Sequence, residues 1–352
     1  MDGAVIIDVR QEELTGPKNF NANLWRLYIT YDPPRPAAPQ TLIAKLPTSV
    51  PELHERAAIF QPGSRENWFY RSGLPRSPIN VPRCYYNGID GATGQSILLL
   101  EDLAPALSGN QLKGATLPEA RLALESLARL HARWWADADC VEIQELTNLL
   151  AGTWTKEQNL VQNLYDQAWP RFLVQSPDLV SAEVQNFGAA IVRNMQAVDA
   201  LLDQAPKTLA HGDYRLENIH FGVQSGKAAC WVIDWEDVFF GSGMVDVSWF
   251  LGGCLPVAQS RHETDLLRIY YRTLIDEGVV NYSWDQCYDE YRCAMCGNFV
   301  QGILSATVND GAAEYDRRLA QVIGERFMAA VQRLRLPELL RSSAGSRSHL
   351  EG

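Results

Sequence analysis

The chain changes its hydrophobic periodicity near residue 117, and that change limits the folds open to it. Up to that point the apolar residues come in short runs: "AVIIDV", "LWRLYITY", "TLIAKL", "VPRCYY" and "SILLLEDL". Pro-, Gly- and Asn-rich pieces separate them, which is the pattern of a small, mostly antiparallel sheet. One helical stretch, near 52–71, falls between the third and fourth runs. From Leu117 the pattern turns helical, opening on "LPEARLALESLARLHARWW" with Pro118 in the first turn and Leu122, Leu127, Leu130 and Trp134 at apolar spacing. Further helices are expected at about 155–175, 180–204, 260–277, 284–306 and 314–335. The 352 residues exceed what one hydrophobic core usually organises. The expectation is an α+β, bilobal chain. An N-terminal antiparallel β-sheet lobe covers 1–103, a larger, mainly helical lobe covers 104–340, and 341–352 form a disordered tail.

One segment breaks the helical half. "LAHGDYRLENIHFGVQSGKAACWVIDWED" reads as two β-like runs joined by a turn at Ser225-Gly226. It carries Asp213, Asn218 and Asp234, and a hairpin gathers the loop before its first strand and the loop after its second at one end. Taken singly, Asp and Asn are common turn formers. Together, Asp-x4-Asn followed sixteen residues later by an Asp after a β-run matches the catalytic and metal loops of protein kinases. Phosphoryl transfer needs a carboxylate to orient an attacking hydroxyl and accept its proton, and oxygen ligands to hold magnesium against a triphosphate. In the N-terminal half, Lys45 stands near the end of "TLIAKL", where strand alternation can direct it to phosphate oxygens. Glu66, in the helical "SRENWFYRS", is placed to pair with it.

Composition closes other routes. A formal charge of −11 argues against a nucleic-acid partner, which calls for a basic face. Seven scattered cysteines do not make a disulfide framework, and Cys293-x-x-Cys296 lacks a second CxxC partner, so these are read as reduced core or surface thiols. The start "MDGAVIIDVRQEEL" has no signal-like region and no apolar run reaches about 18 residues. A cytoplasmic address without a membrane partner is expected. Oligomeric state is not encoded legibly.

"LAHGDYRLENIHF" and "VIDWEDVFFGSGMVDVSWFL" closely resemble the catalytic and metal-binding motifs of the aminoglycoside phosphotransferase and choline kinase superfamily. "ENWFYRSGLP…VPRCYY", "LLLLEDL" and "LARLHARWW" resemble its ecdysteroid-kinase-like branch, with the likeness running from about Lys45 to Leu251. The resemblance implies a protein-kinase-like fold and transfer of the γ-phosphate of ATP, with Mg2+, to a small-molecule hydroxyl. It assigns Asp213 as catalytic base, Asn218 and Asp234 as magnesium ligands, Lys45 to the phosphates and Glu66 as its partner. Leu99 to Leu103 become the hinge, with backbone groups around Leu100, Glu101 and Leu103 on the purine, and Asp246 becomes a structural brace of the catalytic loop. Gly212 stands where protein kinases carry Arg, which favours a small-molecule kinase. The phosphate-covering loop "LTGPKNFNAN" departs from the family in having Gly16 as its only glycine. The acceptor is expected to be small and partly apolar. An aminoglycoside or other antibiotic kinase and a non-catalytic kinase-fold binding protein are the alternatives.

Overall fold

In the computed structural model, residues 5–14, 22–47, 62–91, 95–137, 141–307 and 313–340 are described, without the side chains of 62, 141 and 145–160. The phosphate-loop residues 15–21 with Gly16, the first part of the expected helix near 52–71 and the tail 341–352 lie outside them. By internal contacts the chain divides into two units, Met1–Leu107 with His220–Val238, and Ser108–Ile219 with Phe239–Gly352.

The first unit is built on an antiparallel sheet of β1 (Val5–Glu13), β2 (Ala22–Asp32), β3 (Thr41–Pro47), β4 (Cys84–Ile89) and β5 (Ser96–Glu101) in the order β1-β2-β3-β5-β4. The five apolar runs of the sequence supply these five strands. Alternation along β3 buries Leu42 and Ala44 on one face and sends Lys45 to the other. Helix α1 (Pro62–Trp68) runs into a wider turn, Phe69–Gly73, and packs on β4 and β5. A reciprocal amide pair pins it: Asn67 Nδ2 donates to Asn87 Oδ1 at 2.6 Å, and Asn87 Nδ2 donates to the Asn67 carbonyl at 2.9 Å. Strand β6 (Leu107–Ser108) joins the hairpin of β8 (Ile219–Gln224) and β9 (Lys227–Val232) in a three-stranded sheet, β6-β8-β9. The hairpin turns at Ser225 (φ 51°) and Gly226 (φ 77°), the two left-handed residues that a type I′ turn requires.

The second unit is mainly helical: α2 (Leu117–Arg133), α3 (Val141–Gln175), α4 (Ala182–Asp203), α5 (Met244–Cys254), α6 (Glu263–Asp276), α7 (Trp284–Ala306) and α8 (Glu314–Arg333). Helix α2 begins on a capping box, Thr116 with Glu119, and satisfies its first donors reciprocally. Helix α7 lies at the centre, packed by α3, α4, α5 and α8. Helix α3 starts ahead of the expected 155. Helix α5 was not foreseen as a helix, since nearly every residue in it is buried and no amphipathic stripe marks it. A short antiparallel pair, β7 (Lys207–Ala210) with β10 (Phe239–Ser242), brackets the catalytic-type loop at both ends in sequence. Cys287, Cys293 and Cys296 are buried free thiols whose ionisation burial pushes up to about 12, 11 and 12, in keeping with inert core residues.

Candidate active site

In the first unit four charged side chains converge. The Lys45 ammonium lies 2.8 Å from Glu66 Oε2, 2.5 Å from Asp234 Oδ1 and 3.3 Å from Glu236 Oε2. Local structure explains the convergence. Asp234 follows β9 in the left-handed region (φ 66°), which Asp tolerates better than most residues. Trp235 then stacks flat on Phe69, with centroids 3.6 Å apart, and so clamps the segment after β9 to the turn that follows α1. Burial alone pulls the Lys45 ammonium down. Asp234, Glu66 and Glu236 together outweigh it and hold the lysine well above its ordinary value. Burial lifts the Glu66 carboxyl to about 7, against the pull of Lys45 and with the push of Asp234 and Glu236. A cavity of about 30 Å³ lies beside the cluster, lined by Lys45, Glu66, Ser96 and Glu236 among others, and is large enough for a water or an ion.

In the second unit the loop 211–218 is held from beneath. The fully buried Asp246, in the first turn of α5, accepts the backbone N–H groups of His211 (2.6 Å) and Gly212 (2.8 Å), and its Oδ2 also meets His131 Nε2 at 3.2 Å. His131 Nδ1 in turn lies 2.7 Å from the Tyr270 hydroxyl. Gly212 sits at φ 88°, a conformation that a side chain would strain. Asp213 is therefore presented from a fixed backbone. Its Oδ2 accepts Asn218 Nδ2 at 3.0 Å and pairs with Arg215 Nε at 2.9 Å, while Oδ1 accepts the Trp249 indole N–H at 3.0 Å. Asn218 spends its amide nitrogen on Asp213, on the main-chain carbonyl as well as the carboxylate, which leaves the amide oxygen for a cation.

Each unit thus assembles some of the residues singled out in the sequence: Lys45, Glu66 and Asp234 in the first, Asp213, Asn218 and Asp246 in the second. Leu100 lies inside β5, paired with Ile43 and Cys84. The Glu101 N–H donates to the Arg83 carbonyl at 2.8 Å, and the Leu103 carbonyl accepts from the Ala106 N–H at 2.8 Å. Three further acids of these segments are engaged. Glu236 is on Lys45, Asp237 is the foremost charge opposing the burial of Arg65, and Glu217 pairs with Arg215 at 3.1 Å and accepts the Tyr315 hydroxyl. Sequence reasoning passed over Arg215 and His131 and gave Trp249 no role beyond that of an aromatic of the helical half. Only the position of Arg215 within the motif segment could have flagged it. Among the described residues, the oxygens of Glu66, Asp234 and Glu236 lie within 4.8 Å of one another. This set of hard carboxylate oxygens has the chemistry that magnesium takes.

A five-stranded antiparallel sheet carrying a Lys–Glu pair, followed by a mainly helical unit with a braced HGD loop, defines a protein of kinase-like fold. Solved structures agree in fold. An ethanolamine kinase from Plasmodium vivax aligns over 95% of this chain and 83% of its own, with 13% identity and a TM-score of 0.51. A choline kinase from Cryptosporidium parvum aligns over 98% and 94%, with 8% identity and a TM-score of 0.53. A GDP complex of aminoglycoside 2′-phosphotransferase-IIIa aligns over 93% and 94%, with 14% identity and a TM-score of 0.55. No curated protein matches by sequence. The model of the ecdysteroid kinase-like family matches residues 17–279, and the chain belongs to that family. Among the described residues no helix is long and apolar enough to cross a membrane.

Proposed function

We propose that this protein is an ATP-dependent phosphotransferase that moves the γ-phosphate onto a hydroxyl of a small, partly apolar molecule. The observation that carries the reading is Asp213, held on a backbone that Asp246 braces and joined through its carboxylate to Asn218. In the proposed reaction Asp213 takes the proton of the acceptor hydroxyl as its oxygen bonds to the γ-phosphorus, and the bond from that phosphorus to the bridging oxygen of ADP breaks. Lys45 holds phosphate oxygens, and Glu66 keeps the ammonium in place. The hinge backbone around Leu100, Glu101 and Leu103 takes the purine. Asp234, with Glu236 beside it, and Asn218 are the residues that would hold magnesium, which would supply charge neutralisation on the triphosphate.

Family membership and the state of the acids support an apolar acceptor. A polycationic ligand needs several free carboxylates on one wall, since each exposed ion pair contributes only about 0–1 kcal/mol. Here Glu217, Glu236 and Asp237 are engaged by Arg215, Lys45 and Arg65. An apolar ring system gains about 25 cal/mol per Å² buried. The test is a paired panel of hydroxylated steroids, terpenoids and aromatic alcohols against aminoglycosides, scored by kcat/KM. Efficient use of aminoglycosides with none of the apolar alcohols turned over would refute the acceptor class and leave the phosphotransferase standing.

A further inference from the structure

A carboxylate offers about four lone-pair directions, two on each oxygen. At Asp213, Oδ2 accepts Asn218 Nδ2 at 3.0 Å and lies 2.9 Å from Arg215 Nε in an ion pair rather than a hydrogen bond. On Oδ1 one direction is taken, by Trp249 Nε1–H at 3.0 Å. Among the described residues these three groups are the partners of the Asp213 carboxylate, so Oδ2 meets an amide and a guanidinium while Oδ1 meets one neutral donor, which leaves Oδ1 the more basic oxygen and the one with more room for a further donor. We propose that Oδ1 is the oxygen that takes the proton of the acceptor hydroxyl, and that Trp249 is the positioning residue that fixes which way this oxygen faces.

The placement of Trp249 explains how it does so. It lies on α5 three residues after Asp246, so both project from the same face of one helix. Asp246 holds the loop backbone through the N–H groups of His211 and Gly212, and Trp249 holds the side chain of the residue that follows. One helical turn thereby fixes both the main chain and the χ angles of Asp213. The indole is itself anchored, packing on the fully buried Phe327 ring with centroids 5.6 Å apart and planes inclined by 33°. An indole N–H is a donor only, so it cannot compete with Asp213 for the proton. Without that donor the carboxylate is held through Oδ2 alone and can turn further about its terminal torsion, a broad and shallow coordinate, so Oδ1 no longer faces one way.

The proposal rests on the reading of Asp213 as the base, and two arms separate the two claims. In the first, the indole N–H resonances of the ten tryptophans are recorded, that of Trp249 is identified by its loss in Trp249→Phe, and Asp213→Ala is examined. The Trp249 resonance should move upfield and exchange faster with water in Asp213→Ala. In the second, Trp249→Phe should lower kcat by roughly 10- to 100-fold, as loss of an outer-shell partner does, with KM for Mg-ATP unchanged within about twofold. Trp249→His, which keeps a ring N–H, should recover part of the loss. An indole resonance blind to Asp213→Ala overturns the proposal. So does a Trp249→Phe enzyme that keeps the kcat of the wild type. Should Trp249→Phe fail to fold, the resonance is assigned instead in Trp249→His, and the response to Asp213→Ala decides. A wild type that turns over no acceptor removes the phosphotransferase reading and the role of Oδ1 with it, whereas the first arm still reports on the contact.

Discussion

Replacing Asp246 by Asn tests the brace on which the catalytic-type loop rests. The carboxylate is fully buried and accepts two backbone N–H groups, His211 at 2.6 Å and Gly212 at 2.8 Å, one on each oxygen. Asn keeps one oxygen and puts an NH2 group where the other was, so one of the two donors faces another donor. An orphaned buried N–H costs about 1–3 kcal/mol, and the remaining bond, no longer to a charged acceptor, weakens by about 1 kcal/mol. The expected loss is about 2–4 kcal/mol, a large part of the 5–15 kcal/mol typical of folded domains. Urea unfolding should show a lower midpoint with the slope unchanged. Asp8→Asn, on the exposed strand β1, should stay within about 0.5 kcal/mol of the wild type. Turnover per folded molecule should also fall by roughly 10²-fold, the scale expected when a reacting group is misplaced by about 1 Å. An Asp246→Asn protein as stable and as active as the wild type would refute the reasoning.

Lys45 and Glu66 should act as a unit, so that Lys45→Ala/Glu66→Ala loses little more activity than Lys45→Ala alone, and additive losses in the double-mutant cycle would show that they do not. Asp234→Ala should weaken Mg-dependent ATP binding more than Asn218→Ala, because an ionised carboxylate offers a divalent ion more than an amide oxygen. Titrations of nucleotide with and without magnesium decide it, and Mg-ATP affinity unchanged in Asp234→Ala would discard the metal assignment. Glu66, with its carboxyl lifted to about 7 in the fold from an ordinary 4.5, holds a proton more tightly folded than unfolded. Its contribution to stability is therefore fully present below pH 4.5 and is lost as pH rises through 7, a swing of about 3 kcal/mol at about 1.4 kcal/mol per pH unit. Glu66→Gln should flatten that part of the stability curve, and unfolding midpoints with the same pH slope in both proteins would contradict it.

Much of this was legible because local rules and the fold agree. The strand runs alternate as half-buried strands must, and Ser225-Gly226 supplies the left-handed pair of its turn. Lys45 could be placed on its face of β3 from the period of two alone. What stayed hidden depends on partners distant in sequence. Glu236 and Asp237 look like solvated acids until Lys45 and Arg65, more than 150 residues earlier, are placed against them. Helix α5 carries no amphipathic signal, so Trp249 read as one more aromatic of the helical half, and its indole N–H meets Asp213 36 residues away. His131 sits in an ordinary amphipathic helix, and nothing in that pattern shows that it closes on Asp246 across 115 residues.

The central claim is that Asp213 is the base of a magnesium- and ATP-dependent phosphotransferase. Release of ADP by wild type and Asp213→Asn, measured with Mg-ATP over the alcohol panel, tests it most directly, with nucleotide affinity measured alongside. The account predicts acceptor-dependent ADP release by the wild type and a loss of roughly 10²- to 10⁴-fold in Asp213→Asn, with nucleotide affinity within a few-fold. Turnover by Asp213→Asn at the rate of the wild type would contradict it.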